Sequence, residues 1–187
     1  MLLRLNESSF GDSNPDQAFF FLFGDISDES IQPLVEFVFQ SNFAQKNKPA
    51  VLNVVICSGG GSMTAAMCAV DCIRGSLIPV RCIGLGTIAS AALLIFLSGT
   101  KGMRVVTENT SVLSHWWQWG ASGTPHMLAA AVKEFDLTTK RMIAHYVRCT
   151  KLKEKEVIKY LLPKEDMYLT TEEVIKFGIA DVVADLK

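Results

Sequence analysis

Continuous apolar runs alternate with segments of helical periodicity along most of the chain. Residues 18–23 are an uninterrupted apolar run, and residues 51–56 are apolar apart from Asn53. Such runs are typical of strands that are covered on both faces. Between them, apolar side chains recur at helical spacing behind Ser27 and Asp28, which can cap a helix. Because strands and helices alternate from end to end, the sequence predicts an α/β fold. The same patterns predict further strands at residues 80–84, 105–106, 111–114 and 179–183, and helices at residues 63–74, 125–150, 153–162 and between Thr170 and Gly178.

Length and composition predict one domain with more apolar surface than its own core can bury. A chain of 187 residues can bury a full core, and 49% of these residues are hydrophobic. We therefore expect a single domain over residues 1–187 and a subunit interface that covers the excess apolar surface. Residues 1–17 are polar and contain Gly11, Asn14 and Pro15, so they are predicted to form a short flexible arm.

Charge and cysteine content exclude several classes of protein. The formal net charge is −1 without a long basic run, so no nucleic-acid partner is expected. The five cysteines show no CxxC spacing, which favours buried thiols in a reducing compartment. We expect the cytoplasm, because the first residues lack a secretory signal. The 19 uncharged residues 82–100 approach the length of a membrane span, but glycines and serines dilute them, so no membrane segment is expected.

Ser90 is the first residue with candidate chemistry. It follows a predicted strand and opens a helix whose residues 91–97 carry no polar side chain. A helix N-terminus favours a developing negative charge, which suits a nucleophile, but a lone serine here can equally be a small residue that permits close packing. Residues 59–61 are three glycines, and two interpretations of them stay open. They can form a plain tight turn, or they can expose backbone N–H groups to something that approaches closely.

Other candidate catalytic residues also lie at the ends of predicted elements. A nucleophilic serine needs a base, a carboxylate that orients the base, and donors for the oxyanion. His115 ends a predicted strand and Asp166 lies in a later loop, while Gly60 and Ala91 can supply backbone N–H groups. The chain order Ser, His, Asp differs from the orders of the α/β-hydrolases, chymotrypsin and subtilisin. From the residues alone, a triad is therefore one interpretation among several. His126 and His145 lack metal-ligand spacing and are predicted to be surface or packing residues.

Four blocks of sequence carry a resemblance to a known family. They are SGGGSMTAAMCAVDCIR, GTIASAALLIFLSGTKGMR, SVLSH and EDMYLTTEEVIKFGIAD. In the same order, they are similar to the glycine turn, the nucleophile segment, the histidine segment and the aspartate segment of ClpP, the proteolytic subunit of the Clp protease. The resemblance covers about residues 18–185, with Gly59 where the family usually has proline.

The resemblance implies roles for five residues. Ser90 is the implied nucleophile, His115 the general base and then general acid, and Asp166 the residue that orients His115. The backbone N–H groups of Gly60 and Ala91 are implied to hold the oxyanion. No metal or cofactor is implied.

The resemblance also implies a fold and an assembly. The fold is the crotonase-like spiral of repeated β-β-α units, with the helix after Gly123 protruding as a handle. The implied protein is a serine endopeptidase subunit of a self-compartmentalised ring that cleaves unfolded polypeptides and peptides. It forms a homo-oligomer of heptameric rings, either one ring or two stacked rings, and an ATP-dependent unfoldase is the expected partner.

The chain departs from the family at positions that bear on function. Trp116 and Trp117 follow the histidine where the family commonly has Gln-Pro, and Lys164-Glu165 replaces an Asp-Arg pair tied to contacts between rings. Asn53 and Val55 replace two tyrosines that help the family to bind its unfoldase. Two alternatives therefore stand beside the peptidase: a non-catalytic ring subunit with a structural or docking role, and an acyl-CoA enzyme of the crotonase type.

Overall fold

A single seven-stranded sheet organises the part of the chain that the computed structural model describes, residues 17–184. The path of the sheet is β1-β2-β3-β4-β7, and β5 pairs with both β3 and β6. The predicted arm, residues 1–17, lies outside the described residues except for Gln17, which begins the first strand. The strands are β1 (Gln17–Phe23), β2 (Val51–Ser58), β3 (Val80–Ala89), β4 (Arg104–Val106), β5 (Ser111–Ser114), β6 (Met167–Leu169) and β7 (Val182–Val183).

Six helices lie between these strands in the described range, and their ends follow local capping chemistry. Ser27 accepts a hydrogen bond from the N–H of Ser30 at the start of the first helix, and Thr170 and Glu173 form the predicted capping box. Gly178 ends the last helix in the left-handed conformation, with φ +72°. The helices are α1 (Asp28–Phe43), α2 (Met63–Arg74), α3 (Ala91–Leu97), α4 (Pro125–Cys149), α5 (Glu154–Tyr160) and α6 (Thr171–Phe177).

Strand β3 is longer than the predicted residues 80–84 because it pairs with two different neighbours in succession. Its first half lies parallel to β4, and residues 87–89 lie parallel to β5. In a parallel pair the carboxyl ends lie at the same edge of the sheet, so the residues after β3 and after β5 come together. β6, which the sequence did not predict, runs antiparallel to β5 and pairs Met167 with Ser114. The residue before β6 therefore lies beside the residue after β5.

The core lies between the sheet and α3, whose seven residues are all buried. The expectation that the first strand is covered on both faces is wrong within the described residues. Leu22 is buried, but Phe21 and Phe23 are 60% and 56% exposed. The physical reason is that β1 is the edge strand of the sheet, and α1 packs on one of its faces, where Phe37 contacts Phe20.

Helix α4 has two different halves. Residues 121–130, which include its first turns, are all exposed, whereas Met142, His145 and Tyr146 near its end are buried in the core. This long helix protrudes from the sheet as the resemblance predicted. Over residues 17–184, no helix has both the length and the apolar character needed to cross a membrane.

Candidate active site

Ser90 stands in a strained turn between β3 and α3. Its backbone has φ +53° and ψ −122°, the conformation of the first central residue of a type II′ turn, where glycine is normally found. Ser90 also occupies the N-cap position of α3, yet its side chain makes no capping hydrogen bond. An N-cap serine ordinarily accepts from a backbone N–H of the helix, so the hydroxyl group of Ser90 has been directed elsewhere.

The hydroxyl group of Ser90 is directed at His115. Nε2 of His115 lies 2.8 Å from Oγ of Ser90, and Nδ1 of the same ring lies 3.1 Å from Oδ1 of Asp166. The strands explain this arrangement: the N–H of Ser90 donates to the carbonyl group of Leu113 on β5, and β6 brings Asp166 alongside. The three side chains proposed from the sequence are therefore brought together, although 25 and 51 positions separate them along the chain.

This arrangement can transfer a proton. With the proton of the neutral imidazole on Nδ1, the ring donates to Asp166 and Nε2 accepts from the hydroxyl group of Ser90. The His115 side chain is 19% exposed and that of Asp166 is 60% exposed. The carboxylate thus lies at the surface, and the proton-accepting nitrogen faces the more enclosed serine.

Gly60 lies against the strained turn. A Cβ atom at this position would lie 2.8 Å from Cβ of Ser90 and 2.9 Å from the carbonyl oxygen of Ala89, and φ is +104°, so only glycine fits without a shift. The N–H of Gly60 donates to Oγ of Ser58 over 3.1 Å. Gly60 can therefore serve as an oxyanion donor, as the sequence suggests, only after it leaves that acceptor.

Ala91 and Gly61 present backbone N–H groups that have no acceptor within the described residues. Ala91 is the first residue of α3, so its N–H has no partner inside the helix. Gly61 lines the same cleft as Ser90, and it is held there by a bridge to Ile26, whose carbonyl oxygen would lie 2.3 Å from a Cβ on Gly61. Gly61 was not among the residues predicted from the sequence, although the run of three glycines was the available signal.

The cleft beside Ser90 has a volume of about 400 Å³ and is lined by residues 61–64, Ser90, His115, Trp117 and Gln118. One wall is the first turn of α2 and the glycine turn before it. The other wall is the segment after β5, whose Trp117 is half-buried. The bulky departure noted in the sequence thus forms part of the candidate site.

A buried ion pair supports the sheet away from the cleft. The guanidinium group of Arg104 donates to both carboxylate oxygens of Asp181, over 2.6 and 2.9 Å, and the Arg104 side chain is only 3% exposed. Burial by itself raises the pKa of Asp181, but hydrogen bonds from Arg104 and from the N–H of Gly102 outweigh it and hold the pKa below its ordinary value.

His145 links α4 to α3. Its Nε2–H donates to the carbonyl group of Leu94 over 2.9 Å, which makes it the packing residue that the sequence allowed. Burial lowers the pKa of His145 to about 4, because the charged ring would lose its water; this outweighs the hydrogen bond to Leu94, which acts in the opposite direction. His145 is therefore neutral at physiological pH and belongs to the scaffold below Ser90.

Several known proteins are similar to this chain in sequence or in fold. The chain is 31% identical over 134 residues to a protein from Arabidopsis thaliana named ATP-dependent Clp protease proteolytic subunit 4, chloroplastic; the alignment covers 72% of this chain but only 45% of that protein. It is 26% identical over 164 residues to the ATP-dependent Clp protease proteolytic subunit of Oltmannsiellopsis viridis, covering 88% of this chain and 82% of the relative.

Among solved structures, a ClpP1 mutant from Listeria monocytogenes is similar to this chain with a TM-score of 0.76 and 20% sequence identity, over 89% of this chain and 91% of the other. This similarity confirms the predicted α/β fold of the crotonase-like ClpP type. The family model described as Clp protease matches residues 15–187, nearly the whole chain. The chain therefore belongs to the Clp protease family.

Proposed function

We propose that this chain is a serine endopeptidase that cleaves peptides and unfolded polypeptides through an acyl-enzyme on Ser90, in a single peptidase domain. One observation carries the proposal: Oγ of Ser90, the ring of His115 and the carboxylate of Asp166 form a continuous chain of hydrogen bonds of 2.8 and 3.1 Å. Membership of the Clp protease family supports the peptide bond as the substrate.

The proposed reaction has two halves. Nε2 of His115 takes the proton of the Ser90 hydroxyl group while Oγ attacks the peptide carbonyl, and the tetrahedral oxyanion accepts hydrogen bonds from backbone N–H groups. His115 then gives this proton to the leaving amine, and the C–N bond breaks to leave an acyl-enzyme. A water molecule then attacks the acyl carbonyl carbon while His115 takes one of its protons. The ester bond to Oγ breaks, the acid product leaves, and His115 returns the proton to Oγ of Ser90. Asp166 keeps the imidazole in the required orientation throughout.

The N–H of Ala91 is the first donor that we assign to the oxyanion, because it adjoins Ser90 and has no intrahelical partner. For the second donor, the sequence suggested Gly60. The N–H of Gly60 is already hydrogen-bonded to Ser58. Gly61 is therefore the better candidate in this arrangement, because it lines the cleft and its N–H has no acceptor among the described residues.

We further propose that the subunit works inside a homo-oligomeric heptameric ring, alone or as two stacked rings, with an ATP-dependent unfoldase. The relatives above are named as subunits of an ATP-dependent protease. Uncovered aromatic side chains support an assembly: Phe21, Phe23, Phe39 and Phe43 are each more than half exposed. All five cysteines are free thiols, which supports a reducing compartment, and we propose the cytoplasm. The expectation that they are buried holds only for Cys82: Cys68 is exposed, and the other three are half-buried.

The test combines three measurements on the parent and on Ser90→Ala: native mass, hydrolysis of a short fluorogenic peptide, and labelling by a fluorophosphonate. The proposal expects a mass of seven or fourteen subunits, with labelling and cleavage that both vanish in Ser90→Ala. An assembled parent that neither labels nor cleaves would contradict the peptidase and favour the non-catalytic ring subunit. Cleavage that persists at the parent rate in Ser90→Ala would remove Ser90 from the mechanism.

A further inference from the structure

Trp117 lies between the candidate cleft and helix α4. It lines the cleft together with Ser90 and His115, and it comes two positions after His115 in the chain. This tryptophan is a departure from the family, which commonly has Gln-Pro after the histidine, and the proposed chemistry gives it no role. Its surroundings indicate one.

The indole ring of Trp117 is fixed by α4. Its Nε1–H donates to Oγ1 of Thr139 over 3.0 Å, and its plane stacks on the ring of Phe135 with a centroid distance of 4.9 Å and an angle of 20°. Trp119 contacts the same phenylalanine at 5.2 Å and 49° but does not line the cleft. Trp117 is therefore a wall of the cleft with a fixed orientation, because rotation of its side chain would break both contacts with α4.

The cleft that Trp117 bounds is suited to an uncharged side chain. Apart from His115, none of the residues that line it is ionisable, so a charged substrate side chain would lose water without gaining a partner. Met63 lines the cleft as well, and a thioether adapts its shape and makes favourable contacts with aromatic rings. A rigid indole and a flexible thioether together favour a flat ring over a branched aliphatic side chain.

We propose that Trp117 is a specificity-determining residue that stacks against an aromatic side chain of the substrate, at the residue whose carbonyl group Ser90 attacks. This inference rests on the proposed function and names the substrate class of the same site. Thr139 is a positioning residue, since it acts through the indole N–H. Stacking of two aromatic rings favours phenylalanine over leucine by about two- to tenfold in kcat/KM.

The experiment measures kcat/KM for two fluorogenic peptides that differ only in the residue before the scissile bond, phenylalanine or leucine. The parent prefers phenylalanine, and Trp117→Ala loses this preference, whereas Trp117→Phe keeps part of it. Trp119→Ala is the matched control, because it removes a tryptophan from the same phenylalanine without touching the cleft, and it leaves the ratio unchanged. The rate of fluorophosphonate labelling of Ser90 is followed in each variant as a readout that does not depend on the peptide.

Thr139→Val tests the positioning role in a way that a general loss of stability would not reproduce. The substitution lowers the phenylalanine-to-leucine ratio in the parent but has no further effect in Trp117→Phe, which has no N–H to donate. These two variants also keep the test decisive if Trp117→Ala does not fold. An unchanged ratio in Trp117→Ala or Trp117→Phe, or an equal loss in Trp119→Ala, with labelling intact, overturns this inference alone. A parent without labelling or cleavage overturns the proposed function and this inference with it.

Discussion

Ser90 occupies the capping position of α3, yet its Oγ lies 2.8 Å from Nε2 of His115 instead of on a backbone N–H of the helix. Simple helix capping does not account for this arrangement. A serine selected for capping would accept a hydrogen bond from the helix and would not adopt a positive φ. The relationship between these two residues is therefore the feature from which the function is best tested.

Asp166→Asn is expected to lower kcat for peptide cleavage by at least about 100-fold, with a smaller effect on KM. The amide N–H can donate to Nδ1, which favours the tautomer whose proton is on Nε2 and which therefore cannot accept the proton of Ser90. The neutral amide also no longer stabilises the imidazolium ion that forms during the reaction. The matched control is Glu165→Gln, which neutralises the neighbouring exposed carboxylate and leaves kcat near that of the parent. Equal kcat values for Asp166→Asn and the parent would assign the orienting role to another group.

Gly60→Ala is expected to abolish cleavage and to destabilise the fold, whereas Gly59→Ala is tolerated. A Cβ at position 60 would press on Ser90 and on the carbonyl oxygen of Ala89, while a Cβ at position 59 would meet nothing within 4 Å. Cleavage rates and thermal midpoints of the two single variants provide the comparison. If Gly60→Ala retained full activity, the close packing of the glycine turn against Ser90 would not matter for catalysis.

Asp181→Asn is expected to lower the free energy of unfolding by roughly 3 kcal/mol, because it leaves the buried guanidinium group of Arg104 without its carboxylate. Since the folded pKa of Asp181 is lowered, the stabilisation is present above the unfolded pKa and is lost as pH falls through the folded value. Denaturant unfolding at neutral and acidic pH measures both effects.

The control for this ion pair is Glu134→Gln, which breaks an exposed pair with Arg141 on α4. Exposed pairs contribute little, so a change below about 1 kcal/mol is expected. A similar loss of unfolding free energy in Asp181→Asn and Glu134→Gln would show that the burial of Arg104 does not determine how much its ion pair stabilises the fold.

His145→Gln is expected to flatten the dependence of stability on pH between about 6.5 and 4. The folded pKa of His145 is lowered to about 4, so in this window the unfolded chain binds a proton that the folded chain does not, and stability falls as pH falls. Between pH 7 and pH 4.5 the parent should therefore lose roughly 2–3 kcal/mol through this group, while glutamine, which can still donate to Leu94, does not titrate.

His126→Gln, at the exposed start of α4, is the corresponding control and should keep the slope of the parent. Unfolding free energies at several pH values check the pair of variants. Parallel curves for His145→Gln and the parent would exclude His145 as a source of acid sensitivity.

The fold was predictable from local patterns wherever those patterns were strong. The bounds of α2 match the prediction because an apolar stripe follows Ser62, which caps the helix. β6 has only three residues, too few to show a periodicity, and the glycines at positions 84 and 86 concealed the second half of β3. The partial exposure of β1 could not be read from its sequence, because an apolar run does not reveal which strand of a sheet lies at the edge.

The candidate site was predictable only through resemblance. Nothing in the spacing of Ser90, His115 and Asp166 indicates proximity, because their meeting depends on the pairing of β3 with β5 and of β5 with β6. The stacking of Trp117 on Phe135 could not be anticipated either, since it depends on how α4 packs beside the segment that follows β5. The catalytic roles of the three residues stay predictions until the variants are measured.

The positive φ of Ser90 has an evolutionary consequence. A side chain held in this conformation costs about 1–2 kcal/mol relative to glycine, so folding by itself disfavours serine here. In a lineage that no longer needs the hydroxyl group, Ser90→Gly would increase stability. This gain would favour the replacement of serine by glycine. His115 and Asp166 do not have a positive φ, so position 90 is where we expect the first substitution in a relative that no longer uses the serine.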